Sequence, residues 1–123
     1  MGFDWEEYLA LAEFLKNHLE PTFSRDASFR AGASRAYYAA FNVARLHAQL
    51  QLGFQSTGLA DDHSRLRQHF EFHGKRDIAT DLDALRQWRN LADYSDEAQN
   101  LLRVISESIR KARKLVQKLA ALT

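Results

Sequence analysis

The sequence predicts an all-α protein, on three observations. Proline occurs once, at Pro21, and glycine five times in 123 residues, so helix breakers are scarce. Apolar residues recur three and four positions apart along five stretches, and none shows the two-residue alternation of a half-buried strand. Loop-forming composition is confined to short intervals, chiefly 53–61 around Gly58. The economical arrangement is an antiparallel up-and-down bundle of four main helices plus one short helix, a single domain over residues 1–123.

Each helix has its own signal. Asp4 and Glu7 stand at capping-box spacing ahead of Trp5, Tyr8, Ala12, Leu15 and Leu19, and Pro21 ends or redirects that helix. From about Asp26 to Leu52 a second helix carries the stripe Phe29, Ala33, Ala36 or Tyr37, Ala40 and Ala44, stopping near Gly53. Gly32 and the alanines around it would let a neighbouring backbone come close. A short helix runs from Asp62 to Phe72, closed by Gly74, and Ile78, Leu82, Leu85, Trp88 and Ala92 mark a fourth. With Ser95 as its cap, a fifth follows on Ala98, Leu101, Ile105, Ile109, Ala112, Val116 and Leu119, nearly as long as the second.

Composition excludes several classes. Seventeen basic and sixteen acidic side chains leave a formal charge of +1, so there is no global signature of a polyanion binder. With 46% hydrophobic residues the chain is not disordered, and no apolar run approaches the roughly 20 residues that span a bilayer. The absence of cysteine removes disulfides, thiolate metal sites and thiol chemistry. Asp4, Glu6 and Glu7 stand where a secretion signal would carry bases, which predicts a cytoplasmic protein with no membrane association. Histidines fall at 18, 47, 63, 69 and 73; His69 and His73 are one turn apart but lack a third ligand, so neither a metal site nor a cofactor is predicted. Charge is nevertheless uneven. The last helix has Arg103, Arg110, Lys111, Arg113, Lys114 and Lys118 against Glu107 alone, which reads either as a solvated face or as a surface for RNA or an acidic protein.

Two segments stand out chemically. In Ser34-Arg35-Ala36-Tyr37-Tyr38-Ala39-Ala40-Phe41, Arg35 and Tyr38 are neighbours on a helix surface, as are Tyr37 and Phe41. In Arg86-Gln87-Trp88-Arg89-Asn90-Leu91-Ala92-Asp93-Tyr94, Arg86, Asn90 and Asp93 share one side, and Arg89 to Asp93 spans one turn. The ordinary reading of that turn is a local salt bridge. The functional reading is a nucleic-acid surface, in which Arg35, Tyr38, Arg86 and Arg89 clamp phosphate and hydrogen-bond a base or ribose.

These runs, with His63 before a short helix ending in Phe70 and Phe72 and the string Arg89-x-x-Ala92-Asp93-Tyr94, resemble the HEPN superfamily over about residues 26–115. The closest likeness is to its small prokaryotic branch, whose members pair with minimal nucleotidyltransferases. The resemblance implies a helical bundle, commonly a homodimer, acting in toxin–antitoxin-like systems or in RNA processing. It also implies a metal-independent endoribonuclease centre made of an arginine, a polar residue after it and a histidine several positions on. Arg89 falls on the arginine and Asn90 on the polar position, but Tyr94 stands where the nearest histidine would be. A phenol is only about one part in a thousand ionised at neutral pH, so Tyr94 is a poor proton acceptor.

The leading expectation is a dimer that binds RNA or a nucleotidyltransferase partner with ribonuclease activity weak or lost. An active endoribonuclease toxin is the alternative, with Arg89, Asn90 and Tyr94 acting beside a histidine from elsewhere, His63 first. The third is a purely structural interaction protein. Residues five apart on a helix point about 140° away from each other, so Tyr94 is equally readable as a packed ring. Arg89 is expected in a polar cleft while Leu85 or Trp88 fills the core.

Overall fold

The computed structural model describes residues 2–18 and 21–122, and its elements are α1 (Glu7–Asn17), α2 (Arg25–Gln51), α3 (Asp62–Phe72), α4 (Arg76–Tyr94) and α5 (Leu101–Ala121). No strand occurs among the described residues, and the helices form the up-and-down bundle that the periodicities predict. None of them is long and apolar enough to cross a membrane.

The bundle is organised around α2, which packs against all four other helices, most extensively α5. Ser24 begins it by accepting the Ala27 amide on its hydroxyl, and Gly53, at φ 71°, lets the chain leave in a conformation other residues adopt at a cost. Between those ends the small residues act as the sequence suggests. A Cβ on Gly32 would overlap the Ile105 side chain of α5 and sit 3.4 Å from the Ala12 carbonyl of α1. Ala33, Ala36, Ala40 and Ala44 are buried beside it, and Tyr37 fills the space they leave. Leu66 and Phe70 of α3, Ile78, Leu82 and Leu85 of α4, and Ile105, Leu115 and Leu119 of α5 complete one continuous apolar core.

Several helix ends differ from expectation. The Asp4–Glu7 capping box does not form: Asp4 Oδ1 accepts the Glu6 amide, 3.0 Å away, and α1 begins only at Glu7. That helix ends at Asn17, ahead of Pro21, and Leu19 of its stripe lies outside the described residues. Ser95 does not cap α5. It terminates α4 in an extended conformation, and its carbonyl accepts Arg30 Nη1 at 2.7 Å. The residue before α5 is Asn100, left-handed at φ 56°, so Ala98 lies in the connection and α5 has 21 residues against 27 in α2. A bent connection was hidden because Ala98 keeps the apolar rhythm without being helical.

Candidate functional site

The chemistry-bearing residues gather where α2, α3 and α4 meet. Leu85 of α4 is fully buried and Trp88 packs partly against the core, which fixes the helix rotation and turns Arg89 towards α2. Arg89 Nη2 donates to the Tyr38 hydroxyl at 2.6 Å and Nη1 to Asn90 Oδ1 at 2.8 Å. Its guanidinium lies over the rings of Tyr37, Tyr38 and Tyr94, between 5.2 and 5.7 Å from their centroids. Only 14% of the side chain is exposed. The nearest carboxylate, Asp93, stands 3.7 Å from Nε, too long for a hydrogen bond, and Nε has no hydrogen-bond partner. The single-turn salt bridge is therefore a loose ion pair, and the strong contacts of Arg89 are to neutral groups. Burial alone would lower its pKa, but the Tyr38 hydrogen bond and the neighbouring Tyr38, Tyr94 and Asp93 carry it above the ordinary value.

Behind Arg89 lies a second pair. The Tyr37 hydroxyl bonds His63 Nδ1, whose ring stacks on Phe41 at 4.0 Å. Burial pushes the Tyr37 phenol well above its ordinary pKa against the pull of Arg67 and Arg89, so it keeps its proton. Burial also lowers His63, and Arg89 and Arg67 lower it further, with Asp62 opposing them. The imidazole is thus neutral at pH 7, with Nδ1 engaged by Tyr37 and Nε2 left for other partners.

The two flanks are asymmetric in charge. Arg67 of α3 and Arg86 of α4 share Asp83, at 3.6 and 2.9 Å. Arg35 has no carboxylate within ion-pair distance among the described residues. It lies between the rings of Tyr8 and Tyr38, at 4.9 and 5.2 Å, and bonds the Ser34 hydroxyl. Four guanidiniums, at 35, 67, 86 and 89, thus face two carboxylates, Asp83 and Asp93.

All six predicted residues besides Arg86 converge here. Arg35, Tyr38, Arg89 and Asn90 touch in sequence, and His63 joins through Tyr37. Tyr94 is 73% exposed, which corrects its reading as a packed ring. The opposed directions of Arg89 and Tyr94 do not keep them apart, because the arginine side chain is long enough to fold back over the phenol. Arg86 is nearby but committed to Asp83, a partner that its place in the sequence did not assign. The open polar cleft expected for Arg89 is replaced by an enclosed, hydrogen-bonded position. His63 is a first-turn residue of α3 rather than a loop residue before it. Tyr37 as a phenolic partner and Arg67 were missed; the four-residue spacing of His63 and Arg67 was the available signal, since it places them on one face.

Other candidates are accounted for locally. Asp62, the first residue of α3, folds back on the preceding loop, accepting from the Thr57 amide and hydroxyl, the Gly58 amide and Arg65. His69 donates to the Leu52 carbonyl and His73 to that of His69. The basic face of α5 is largely paired: Arg110 with Glu107, Arg113 with Glu13, and Lys111 and Lys118 with Asp81.

No protein-family model, curated protein or solved structure matches this chain.

Proposed function

We propose that the protein is a HEPN-like homodimer that binds RNA phosphates at Arg89, with ribonuclease activity weak or absent. The observation that carries this reading is the company of the Arg89 guanidinium. It is positioned by a phenol, an amide and three ring faces, with no carboxylate in hydrogen-bond contact. A brace between helices is best made with a carboxylate, which neutralises the cation; neutral partners hold the cation in place and leave its charge for an anion. Arg35 and Tyr38 extend the surface on α2, and Asn90 and the exposed Tyr94 on α4.

Loss of catalysis follows from the proton inventory. Cleavage through the ribose 2′-hydroxyl needs a group that takes its proton and another that protonates the leaving oxygen. A phenol, the poorer proton acceptor, stands at Tyr94 where the resemblance expects a histidine, and His63 is held through Nδ1 by the Tyr37 hydroxyl. Self-association is supported by the end of α4, where Leu91 and Tyr94 are exposed beside the Arg89 turn. A minimal nucleotidyltransferase is the protein partner that the sequence resemblance implies.

The test compares wild type, Arg89→Ala and Tyr94→His on one labelled single-stranded RNA, with and without chelator. Binding by wild type that is lost in Arg89→Ala, with cleavage gained only in Tyr94→His, is the expected pattern. Rapid chelator-resistant cleavage by wild type would establish the active toxin instead. No binding by any of the three would leave the structural interaction protein. Light scattering that gives the 14.2 kDa mass of one chain at every micromolar concentration would remove the dimer.

A further inference from the structure

A second cation is held on α2 in the same manner, ten residues from Arg35 and in the groove that His63 lines. Asn42 is buried, and both ends of its side-chain amide are engaged locally. Nδ2 donates to the Tyr38 carbonyl at 2.9 Å, and Oδ1 accepts both Nε and Nη2 of Arg45, at 3.2 and 3.1 Å. Arg45 Nη1 donates to Gln49 Oε1 at 3.2 Å, and Gln49 Nε2 passes the contact on to the Ser56 hydroxyl at 2.6 Å. No carboxylate lies within ion-pair distance of Arg45 among the described residues. The one acid in the groove, Asp62, is saturated by Thr57, Gly58 and Arg65. Three of the five guanidinium N–H groups of Arg45 are thus fixed by neutral amides, and the other two have no hydrogen-bond partner among the described residues.

The groove beside it, about 300 Å³, is lined by Phe41, Arg45, Ser56, Gly58, Leu59, Asp62 and His63. It connects to the Arg89 cluster through unbroken contacts: Phe41 stacks on His63, His63 bonds Tyr37, and the Tyr37 ring lies under Arg89. Arg35, Tyr38, Asn42, Arg45 and Gln49 recur at three- and four-residue spacing and so form one face of α2. Along it Arg35 and Arg45 are separated by about 15 Å, with Arg89 docked between them on Tyr38.

The geometry points to a track for single-stranded RNA along α2, in which Arg35, Arg89 and Arg45 take successive phosphates and the groove at His63 receives a base. This rests on the Arg89 phosphate site and gives it length and a strand class. Positive side chains interleaved with ring faces suit an unpaired strand, whose phosphates and splayed bases are both accessible; a paired helix would present neither base face to the groove. His63 Nε2 is the ring nitrogen left for a base edge or a ribose oxygen. The charge is complementary to a polyanion, and the aromatic component distinguishes a nucleotide from an acidic peptide. Asn42 is a positioning residue here, acting through Arg45.

The experiment measures binding of a fluorescent oligouridine hexanucleotide and of a dinucleoside monophosphate over a salt series. Wild type, Arg45→Ala, Asn42→Asp and Arg89→Ala are compared, with folding verified by thermal melts. Arg45→Ala is expected to weaken hexanucleotide binding roughly tenfold and to flatten the salt slope by about 0.7. The affinity gained on lengthening the dinucleotide should shrink accordingly. Asn42→Asp keeps the arginine but gives it a carboxylate, and is expected to produce the same two changes. Hexanucleotide binding that survives in both α2 variants but fails in Arg89→Ala would refute the track while leaving the Arg89 site standing. Binding indifferent to all three substitutions would refute both. Equal binding of duplex RNA, or equal competition by polyglutamate, would overturn the single-stranded RNA assignment.

Discussion

On α5, Arg110 bonds Glu107, Arg113 reaches Glu13 on α1, and Lys111 and Lys118 converge on Asp81 of α4. Where α2 faces α3 and α4, Arg35, Arg45 and Arg89 are held by hydroxyls, amides and ring faces. The α5 face has the larger excess of basic residues in sequence, yet four of its six cations are ion-paired with acids from other helices or from one turn away. The α2 face is nominally balanced, since Asp83 and Asp93 alternate with Arg86 and Arg89 opposite it, yet it retains uncompensated cations. Potential at a surface follows the separation of opposite charges, and burial sharpens it by excluding water. Counting bases along a helix measures neither.

The largest effect separates the two regions by function. Arg89→Ala is expected to lower affinity for single-stranded RNA roughly thirtyfold, through loss of charge-assisted hydrogen bonds, while Arg113→Ala changes it by less than about twofold. Fluorescence anisotropy on both variants decides this. The reverse ranking would make α5 the nucleic-acid face.

Asp81→Ala should act on stability instead. Asp81 is a mostly buried carboxylate shared by Lys111 and Lys118, and its removal strands the Lys111 ammonium and leaves Lys118 only Asp77, at 3.5 Å. A loss of about 1–2 kcal/mol in urea unfolding is expected, less than for a fully buried pair because both lysines reach solvent. RNA affinity should not fall. A variant as stable as wild type would mean that the network contributes nothing, and that the two regions differ less than their geometry suggests.

The pH dependence of stability has an acid limb and an alkaline limb that map onto different places. His63 at the candidate site and His47 in the α2 wall are both depressed below 6.5, first by burial and then by nearby cations: Arg89 and Arg67 for His63, Lys75 for His47. The unfolded chain then binds more protons than the native one as pH falls through 6.5, so the two histidines make stability decline there, and their own contribution levels off below the native values. Lys118 on α5 is raised above 10.5, chiefly by its Asp81 hydrogen bond. Its contribution is complete below pH 10.5 and disappears as pH climbs through the native value. Denaturant midpoints across both ranges read these limbs. His47→Gln should shorten the acid one, and a midpoint that stays constant from pH 7 to 5 would contradict the depressed histidines.

The smallest effect belongs to the exposed Arg113–Glu13 pair, where both side chains are more than a third exposed. Arg113→Ala is expected to cost less than about 0.5 kcal/mol. A larger loss in urea titration would show that α5 uses this pair to hold α1.

Legibility in the sequence followed the range of the interactions. The α2 stripe, the Asp62–Phe72 helix and its stop at Gly74 were readable because helical period and a left-handed glycine are properties of a few adjacent residues. The bend between α4 and α5 was not, since Ala98 satisfies the apolar period equally well inside a helix or packed beside one. At the candidate site, Arg35 with Tyr38 and Arg89 with Asn90 are local pairs and were visible. The Tyr37–His63 bond and the Arg89–Tyr38 bond join residues far apart in the chain, and no spacing announces them.

What the sequence alone determined is the number of helices, their buried faces and the confinement of breakers to the turns, because backbone preference and apolar periodicity act within one element. Tertiary structure alone decided which charges survive. A guanidinium is neutralised or left available according to whether the helix packed against it presents a carboxylate or an amide, and that depends on the rotation of α2, α4 and α5 about their axes. Those rotations are set by the close approach at Gly32 and by the side chains of Tyr37, Leu85 and Ile105 filling one shared core.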